Sequence, residues 1–512
     1  MGFFNSDLLI EYLGLFFVSI LIFYFSRYIA IRLHNNIFRQ GFFGDSSVHF
    51  ALVEQFKNKF FSKKIEKYVI PNPMWYPVLF HKFCTLFSLS LVRRKPFFPN
   101  HILFVLLSAL FIVYTHYIGK TIFLLQDYKF TTGVIVFYLF TVSNFLFEEA
   151  EIAYLKLSER MLARMLAAFY YLTMFIYIRY NNDLSFYLAI ASCGLLFTAS
   201  FFGRQLILVS AIFLSIFLFD FRPLLIMGLG FAFAVLTGGP YFVKSFITNI
   251  KSWGMYFTHY NADKWDKKRR FFYRFVSLKN RGLYIFLSDL LSKEPTRTLF
   301  RMAELAGVIV LSVYFWDYKI FSFILVGLLV YFITTTKLLD VFGEGYRYLE
   351  YAFYFLSPFL LGAFLYKTSN QVFVLLLIQY VTIQSFIIFF LNYRRFKKRK
   401  VFTTDTLSNF LNQLKLPDNC VVFPGNMRLG ADISARGKYN SFWWQPGGIA
   451  DPVLYKEYIE EYPFLRSDFK DLFKKHNVTF ALLDKNDKKI SYNFSEYPVI
   501  LENDQYIAFK IN

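Results

Sequence analysis

Asp45, Ser46, Ser47 and His49 follow Gly41 and Gly44 in the stretch GFFGDSSVHF, and Asn72, Pro73, Trp75, Tyr76, Pro77 and His81 close the same polar segment. A carboxylate among hydroxyls and an imidazole is a set of groups able to take a proton from a hydroxyl. Asp45 has a second possible role as a helix cap. From Ser46 to about Lys64 the apolar residues Val48, Ala51, Leu52, Phe56, Phe60 and Phe61 recur at helical spacing. With Lys57, Lys63 and Lys64 among them, this stretch is expected to form an amphipathic helix lying in a membrane interface. Base and cap both remain open for Asp45 at this level, and His49, one turn on, is placed to bond to it or to a substrate.

The elements that must hold these groups are membrane helices. Of 512 residues, 56% are hydrophobic and 22% aromatic, with a mean hydropathy of +0.40, which excludes an ordinary soluble domain. Runs such as 8–31, 102–118 and 372–391 are long enough, at ~1.5 Å per residue, to cross a hydrocarbon core of roughly 30 Å. They lack the alternation of a β-barrel. The pattern predicts about eleven spans, near 8–31, 101–119, 132–147, 161–179, 184–202, 205–219, 223–238, 303–316, 320–336, 351–366 and 371–391. Only Gly203, Arg204 and Gln205 separate the fifth from the sixth, so that pair reads either as a hairpin or as one bent element. The N-terminus lacks the basic start of a cleavable signal, and the first span is expected to remain as an anchor.

With eleven spans the large polar pieces, 32–100, 240–301 and the tail from 401, fall on one side. The other side carries short connections at 126–130, 179–183, 219–222 and 317–319. A chain so divided works on one face. Residues 32–99 hold eleven Lys and Arg against three acids, and 240–301 hold thirteen against four. In short loops such a bias would mark the cytoplasmic side, but both loops reach the length of ~60 residues at which the rule weakens. The net charge of +21 suits a headgroup-facing surface or the capture of an anionic substrate. It sits in juxtamembrane loops rather than on a reading module, so nucleic acid is not an expected partner.

Cys84, Cys193 and Cys420 match neither zinc spacing nor a disulfide framework, and the seven histidines have no repeated spacing. No metal ligands are assigned, although a divalent cation is compatible with the chemistry, and Glu148, Glu149 and Glu151 are a further acidic group on the same face. After the basic run 394–400 the composition changes. Residues 401–512 are expected to form a small soluble α/β domain, with helices near 403–414 and within 453–475. Its strands are expected at 421–423, 479–483, 498–501 and 506–511. The Gly/Pro-rich middle, 424–452, carries the adjacent Trp443 and Trp444, whose rings suit packing or stacking on a sugar.

GDSSVHF and YPVLFH resemble the first extracytoplasmic loop of the membrane-embedded glycosyltransferases of the GT-C class, with Val78 standing where that pattern has a second proline. Leu157–Arg160 (LSER), Phe201–Gln205 (FFGRQ) and Gly343–Tyr351 (GEGYRYLEY) resemble further pieces of the bacterial and archaeal members, in the same order. The resemblance implies a mainly α, polytopic helical bundle over residues 1–400 with the soluble domain at 401–512. It also implies transfer of a sugar from a polyprenyl-phosphate-linked donor to a glycan, lipid or protein acceptor outside the cytoplasm. By the resemblance Asp45 is the general base. Arg160, Arg204 and Arg347 are expected to hold the donor phosphate, since a guanidinium fork matches phosphate oxygens, the alternative for an arginine at a span end being to snorkel to the interface. His49, Tyr76, Glu159, Glu344 and Glu350 support them.

Two other classes are weighed. A lipid-linked glycan polymerase or ligase usually places its key loop late in the chain, whereas the acidic motif here is early. A transporter or flippase for lipid-linked glycans is expected to show internal repeats and ionisable residues in mid-span, and the charges here cluster at span ends.

Overall fold

The computed structural model describes residues 6–38, 45–62, 68–70, 75–136, 157–255, 303–334, 346–368, 405–425, 427–436, 439–443, 470–486 and 494–512, with scattered positions between 372 and 383. The expected spans at 132–147 and 371–391 therefore lie largely outside the described residues, as do Glu148, Glu149 and Glu151. The chain is a mainly helical integral membrane protein. Five described helices are long and apolar enough to cross a membrane, Leu8–Tyr28, Phe98–Thr121, Arg160–Tyr180, Phe201–Leu218 and Arg222–Trp253, and two shorter apolar helices accompany them.

In chain order the first elements are α1 (Ser6–Phe38), α2 (Asp45–Asn58), β1 (Tyr68–Ile70), α3 (Leu79–Cys84), α4 (Leu89–Arg94) and α5 (Phe98–Thr121). The bundle continues with α6 (Arg160–Tyr180), α7 (Asp183–Ala199), α8 (Phe201–Leu218), α9 (Arg222–Met255), α10 (Ala303–Phe315), α11 (Tyr318–Thr334) and α12 (Tyr346–Thr368). α6 is its centre, packed against α5, α7 and α12. A two-residue turn joins α6 to α7. Asn181 takes the left-handed conformation that ends one helix, and the Asn182 side chain accepts the Ser185 N–H at 2.9 Å to begin the next.

The break expected at 203–205 lies instead at Ser200, which is extended (φ −153°, ψ 143°), so FFGRQ opens α8 rather than linking two helices. Gly203 sits inside α8 because a Cβ there would meet the Leu196 side chain at 2.6 Å. α7 and α8 form a hairpin, not one bent helix. Arg222, at the far end of α8, reaches back to the α6–α7 turn, donating to the Asn181 side chain at 2.6 Å and to the Ile178 carbonyl at 3.1 Å. The helix breaks where the span was expected to end, and the polar piece expected from 240 opens as a helix. Gly239 (φ 55°) turns the chain, Pro240 restarts the helix with its fixed φ, and α9 runs on to Met255.

The C-terminal elements are α13 (Asp405–Leu414), β2 (Val421–Pro424), α14 (Met427–Arg436), β3 (Asn440–Trp443), α15 (Lys470–Lys475), β4 (Val478–Asp484), β5 (Val499–Glu502) and β6 (Tyr506–Lys510). α13 buries Leu407, Phe410, Leu411 and Leu414, the one-sided stripe of an amphipathic helix. The Gly/Pro-rich middle of the tail holds α14 and β3, which its composition concealed. Among the described residues the sheet has six strands in the order β1-β3-β2-β4-β6-β5. Its edge strand β1 comes from the first polar loop and pairs in parallel with β3, Tyr68 opposite Ser441 and Ile70 opposite Trp443.

Candidate active site

α2 is shorter than its periodicity predicts and is covered by protein on two sides. It ends at Asn58, before Phe60 and Phe61, and Phe61 is 85% exposed. Val48, Ala51, Leu52 and Phe56 pack with Tyr68 and with Ala431 of α14, while Phe50 and Val53 join the core that holds Phe80, Cys84 and Val92. A helix covered on both sides needs apolar residues on both, and the run from Val48 to Val53 supplies them. Asp45 is its first residue. The expectation of a helix starting at this aspartate therefore holds, and its side chain lies outside the described residues.

Successive residues of a helix cannot face one partner, and Ser46 and Ser47 bond in different directions. The Ser46 hydroxyl accepts the Leu157 N–H at 3.1 Å, tying α2 to the turn that leads into α6. The Ser47 hydroxyl donates to the Asp432 carboxylate of α14.

That turn carries Glu159 to the centre of a buried polar group. The Tyr76 hydroxyl donates to Glu159 Oε1 at 2.7 Å, and His49 Nε2 lies 3.0 Å from Glu159 Oε2 in an ion-pair contact. His49 Nδ1 is 2.8 Å from His81 Nε2, with the two rings stacked. Burial, reinforced by His49, pushes His81 down to about 3. Burial alone would raise the Glu159 carboxyl, but His49, the Tyr76 hydroxyl and His81 outweigh it and hold it below the usual range. At neutral pH the group is thus a carboxylate and a neutral His81, bridged by an imidazole that contacts both.

Tyr76 is itself braced. The Tyr241 hydroxyl, two residues past Gly239, donates to the Tyr76 carbonyl at 3.0 Å, and the Tyr76 ring packs edge-on against Phe201 at 4.9 Å. Phe202 meets Tyr348 at 5.0 Å, so the start of α12 adjoins the start of α8. Through these contacts the residues expected at the site converge on one end of the bundle. Glu159 and the half-buried Arg160 open α6, and Arg347 stands beside Tyr348 in the first turn of α12. The side chains of Arg347 and Glu350, and the whole of Glu344, lie outside the described residues.

Arg204 reaches the same end with its guanidinium committed. Nε donates to the Phe197 carbonyl at 2.7 Å, Nη1 to the Ser245 carbonyl at 2.9 Å and Nη2 to the Ser245 hydroxyl at 3.0 Å, among the rings of Phe201, Phe242 and Phe246. It fastens the end of α7 and the second half of α9 to the start of α8. Sequence reasoning set His81 at the loop's end without giving it a role and did not single out Asp432. The first has a signal, a histidine five residues past Tyr76. The second has none, since its partner is 385 residues away. Among the described residues no group of three or more His, Cys, Asp or Glu is arranged to hold a metal ion.

No family model matches the chain, and no curated protein matches it. The chain is similar, at 10% identity, to a crystal structure of ArnT from Cupriavidus metallidurans bound to undecaprenyl phosphate, with a TM-score of 0.43 over 99% of both chains. It is similar in the same degree to the apo state of that protein, with a TM-score of 0.45 over 96% of this chain and 97% of the other.

Proposed function

We propose that the protein is an integral-membrane glycosyltransferase of the GT-C class, which moves a sugar from a polyprenyl-phosphate-linked donor to an acceptor outside the cytoplasm. Asp45 takes the proton of the acceptor's hydroxyl or amine. The freed lone pair forms the bond to the anomeric carbon as the bond from that carbon to the phosphate oxygen breaks, and the electron pair leaves on the phosphate. A phosphate departs without needing a proton when cations hold it, and we assign this role to Arg160 and Arg347, whose backbones open α6 and α12. Arg204, spent on carbonyls, supports the fold of the site rather than the phosphate.

The observation that carries the reading is the buried group of Tyr76, Glu159, His49 and His81, one helical turn beyond Asp45 and beside the starts of α6, α8 and α12. Perturbed ionisable groups gathered on several elements support the reading of a working site. Here they would fix α2 and set the field in which Asp45 holds its proton. The positive charge of this face then serves the anionic carrier rather than marking the cytoplasm, and a compartment reporter fused at residue 400 is expected to read extracytoplasmic.

The direct test uses the purified full chain in lipid nanodiscs with radiolabelled polyprenyl-phosphate hexose and polyprenyl-phosphate pentose, and with membrane extract as acceptor. Transfer of label from one of these donors is expected, together with its loss in Asp45→Asn at unchanged folding. A wild-type chain that leaves both donors intact, or an Asp45→Asn variant with full transfer, removes the reading.

A further inference from the structure

The part of the chain that holds the start of α2 from outside the membrane bundle is the C-terminal sheet layer, and the contact is specific in kind. α14 turns two faces to its surroundings. Leu429 and Ile433 enter the core of the sheet layer, whereas Ala431 and Ala435, one turn apart, join the cores that contain α2. Small residues at 431 and 435 let the helices approach closely, and Asp432 lies between the two faces. The carboxylate of Asp432 and the hydroxyls of Ser47 and Ser434 are all buried, as is Tyr68, whose hydroxyl is 2.8 Å from Ser434 Oγ. Arg93 of α4 adds a clamp at the end of α14, donating to the Ala435 carbonyl at 2.9 Å while its guanidinium lies 4.8 Å from the centre of the Phe50 ring of α2. Burying a carboxylate is unfavourable, so a hydrophobic pair at this contact would hold the two layers together at least as well. What the hydrogen bond adds over such a pair is direction. It fixes the rotation of the first turn of α2, two residues from Asp45, against the pull of Ser46 toward Leu157 on the other side.

We propose that Asp432 is a positioning residue, through which the C-terminal sheet layer sets the orientation of the helix that begins at Asp45. This inference rests on the function proposed above for its consequence in catalysis, but not for the mechanical coupling itself. A misplacement of about 1 Å at a reacting group costs on the order of 100-fold in rate. Asp432→Leu is therefore expected to lower kcat by roughly 30-fold or more, with the donor KM changed by less than about twofold. Asp432→Asn keeps an acceptor oxygen for Ser47 and is expected to restore most of the rate. Ser47→Ala combined with Asp432→Leu is expected to add nothing to the latter alone, since both remove one bond.

Hydrogen exchange of the α2 amides in the same nanodisc preparations supplies a readout independent of activity. Exchange at 45–50 is expected to rise in Asp432→Leu and in Ser47→Ala and to stay at the wild-type level in Asp432→Asn. Unchanged exchange and kcat in Ser47→Ala overturns the proposal, and that milder variant decides the matter if Asp432→Leu fails to fold. An equal loss in Asp432→Asn and Asp432→Leu also overturns it. A wild-type chain without transfer activity would sink the proposed function while leaving the exchange experiment to judge the coupling.

Discussion

At the end of the bundle built from short connections, charges meet their opposites. Arg179 is 2.7 Å from Asp317, Arg222 is 2.6 Å from Asp220, and Lys319 donates to the Ile178 carbonyl at 2.9 Å. The buried histidine there, His116, uses both ring nitrogens, one toward Thr131 at 2.8 Å and the other toward Glu11 at 2.9 Å, and Tyr128 completes the Glu11 carboxylate at 2.6 Å. The end that holds Asp45 differs. His81 is as deeply buried as His116, yet it stacks on a second imidazole, its Nε2 2.8 Å from His49 Nδ1, and its proton affinity is driven far down. Closed pairs fasten helices together. Two imidazoles and a carboxylate gathered in one buried place are a cost to stability that fastening helices does not require.

The largest test of this contrast is Asp45→Asn. At the site end it is expected to remove transfer by about 10²- to 10⁴-fold, the range for loss of a general base, with the melting temperature little changed. Transfer rate and thermal melting in the same nanodiscs measure both, and a melting loss in place of a rate loss would reduce Asp45 to a helix cap. Glu159→Leu comes next. It removes the carboxylate that His49 and the half-buried Tyr76 hydroxyl share, so thermal or denaturant unfolding is expected to show a destabilisation of roughly 3 kcal/mol. A neutral result would show that the polar group at the site end is solvated after all.

His81 sharpens the comparison through pH. Its folded value, about 3, lies below that of an unfolded histidine, so the unfolded chain binds a proton that the native chain refuses. Stability is then full above about pH 6.5 and falls as pH drops from there toward 3, by at most about 1.4 kcal/mol per pH unit. Glu159, held below its ordinary value, adds a loss in the same direction, but only below the ordinary carboxylate range. His81→Phe is therefore expected to make the melting profile shallower between about pH 6.5 and 5, a window in which Glu159 does not yet contribute. The smallest effect is expected at the other end. Arg179→Met breaks a partly exposed pair worth about 1 kcal/mol or less and should leave transfer per folded molecule unchanged. A large activity loss there would dissolve the distinction between the two ends.

Much of the bundle was legible because hydropathy and helix signals act locally. The spans near 8–31, 101–119 and 161–179 correspond to α1, α5 and α6, and the strands of the tail at 421–423, 479–483 and 506–511 correspond to β2, β4 and β6. Errors fell where a local signal had two readings. Gly203 looked like a break and proved to be a place of close approach to Leu196, while the chain turned at Ser200 instead. Phe60 and Phe61 continued the helical period of α2, but tertiary packing ended the helix at Asn58. Arg204 read as a phosphate ligand from its motif. Its three hydrogen bonds and the rings around it depend on α9 folding back after Gly239, which its own neighbourhood does not encode.

By itself the sequence determined that this chain crosses a membrane as helices, since a run of apolar residues in lipid must satisfy its backbone hydrogen bonds internally. It also located the polar loop that carries Asp45, His49 and Tyr76. Only the tertiary structure decided that His49 meets His81 and Glu159, that a strand of this loop joins the C-terminal sheet, and that Ser47 meets Asp432. Local periodicity sets which face of an element is apolar. Which distant polar group that element meets is set by how the layers pack, and no spacing along the chain records it.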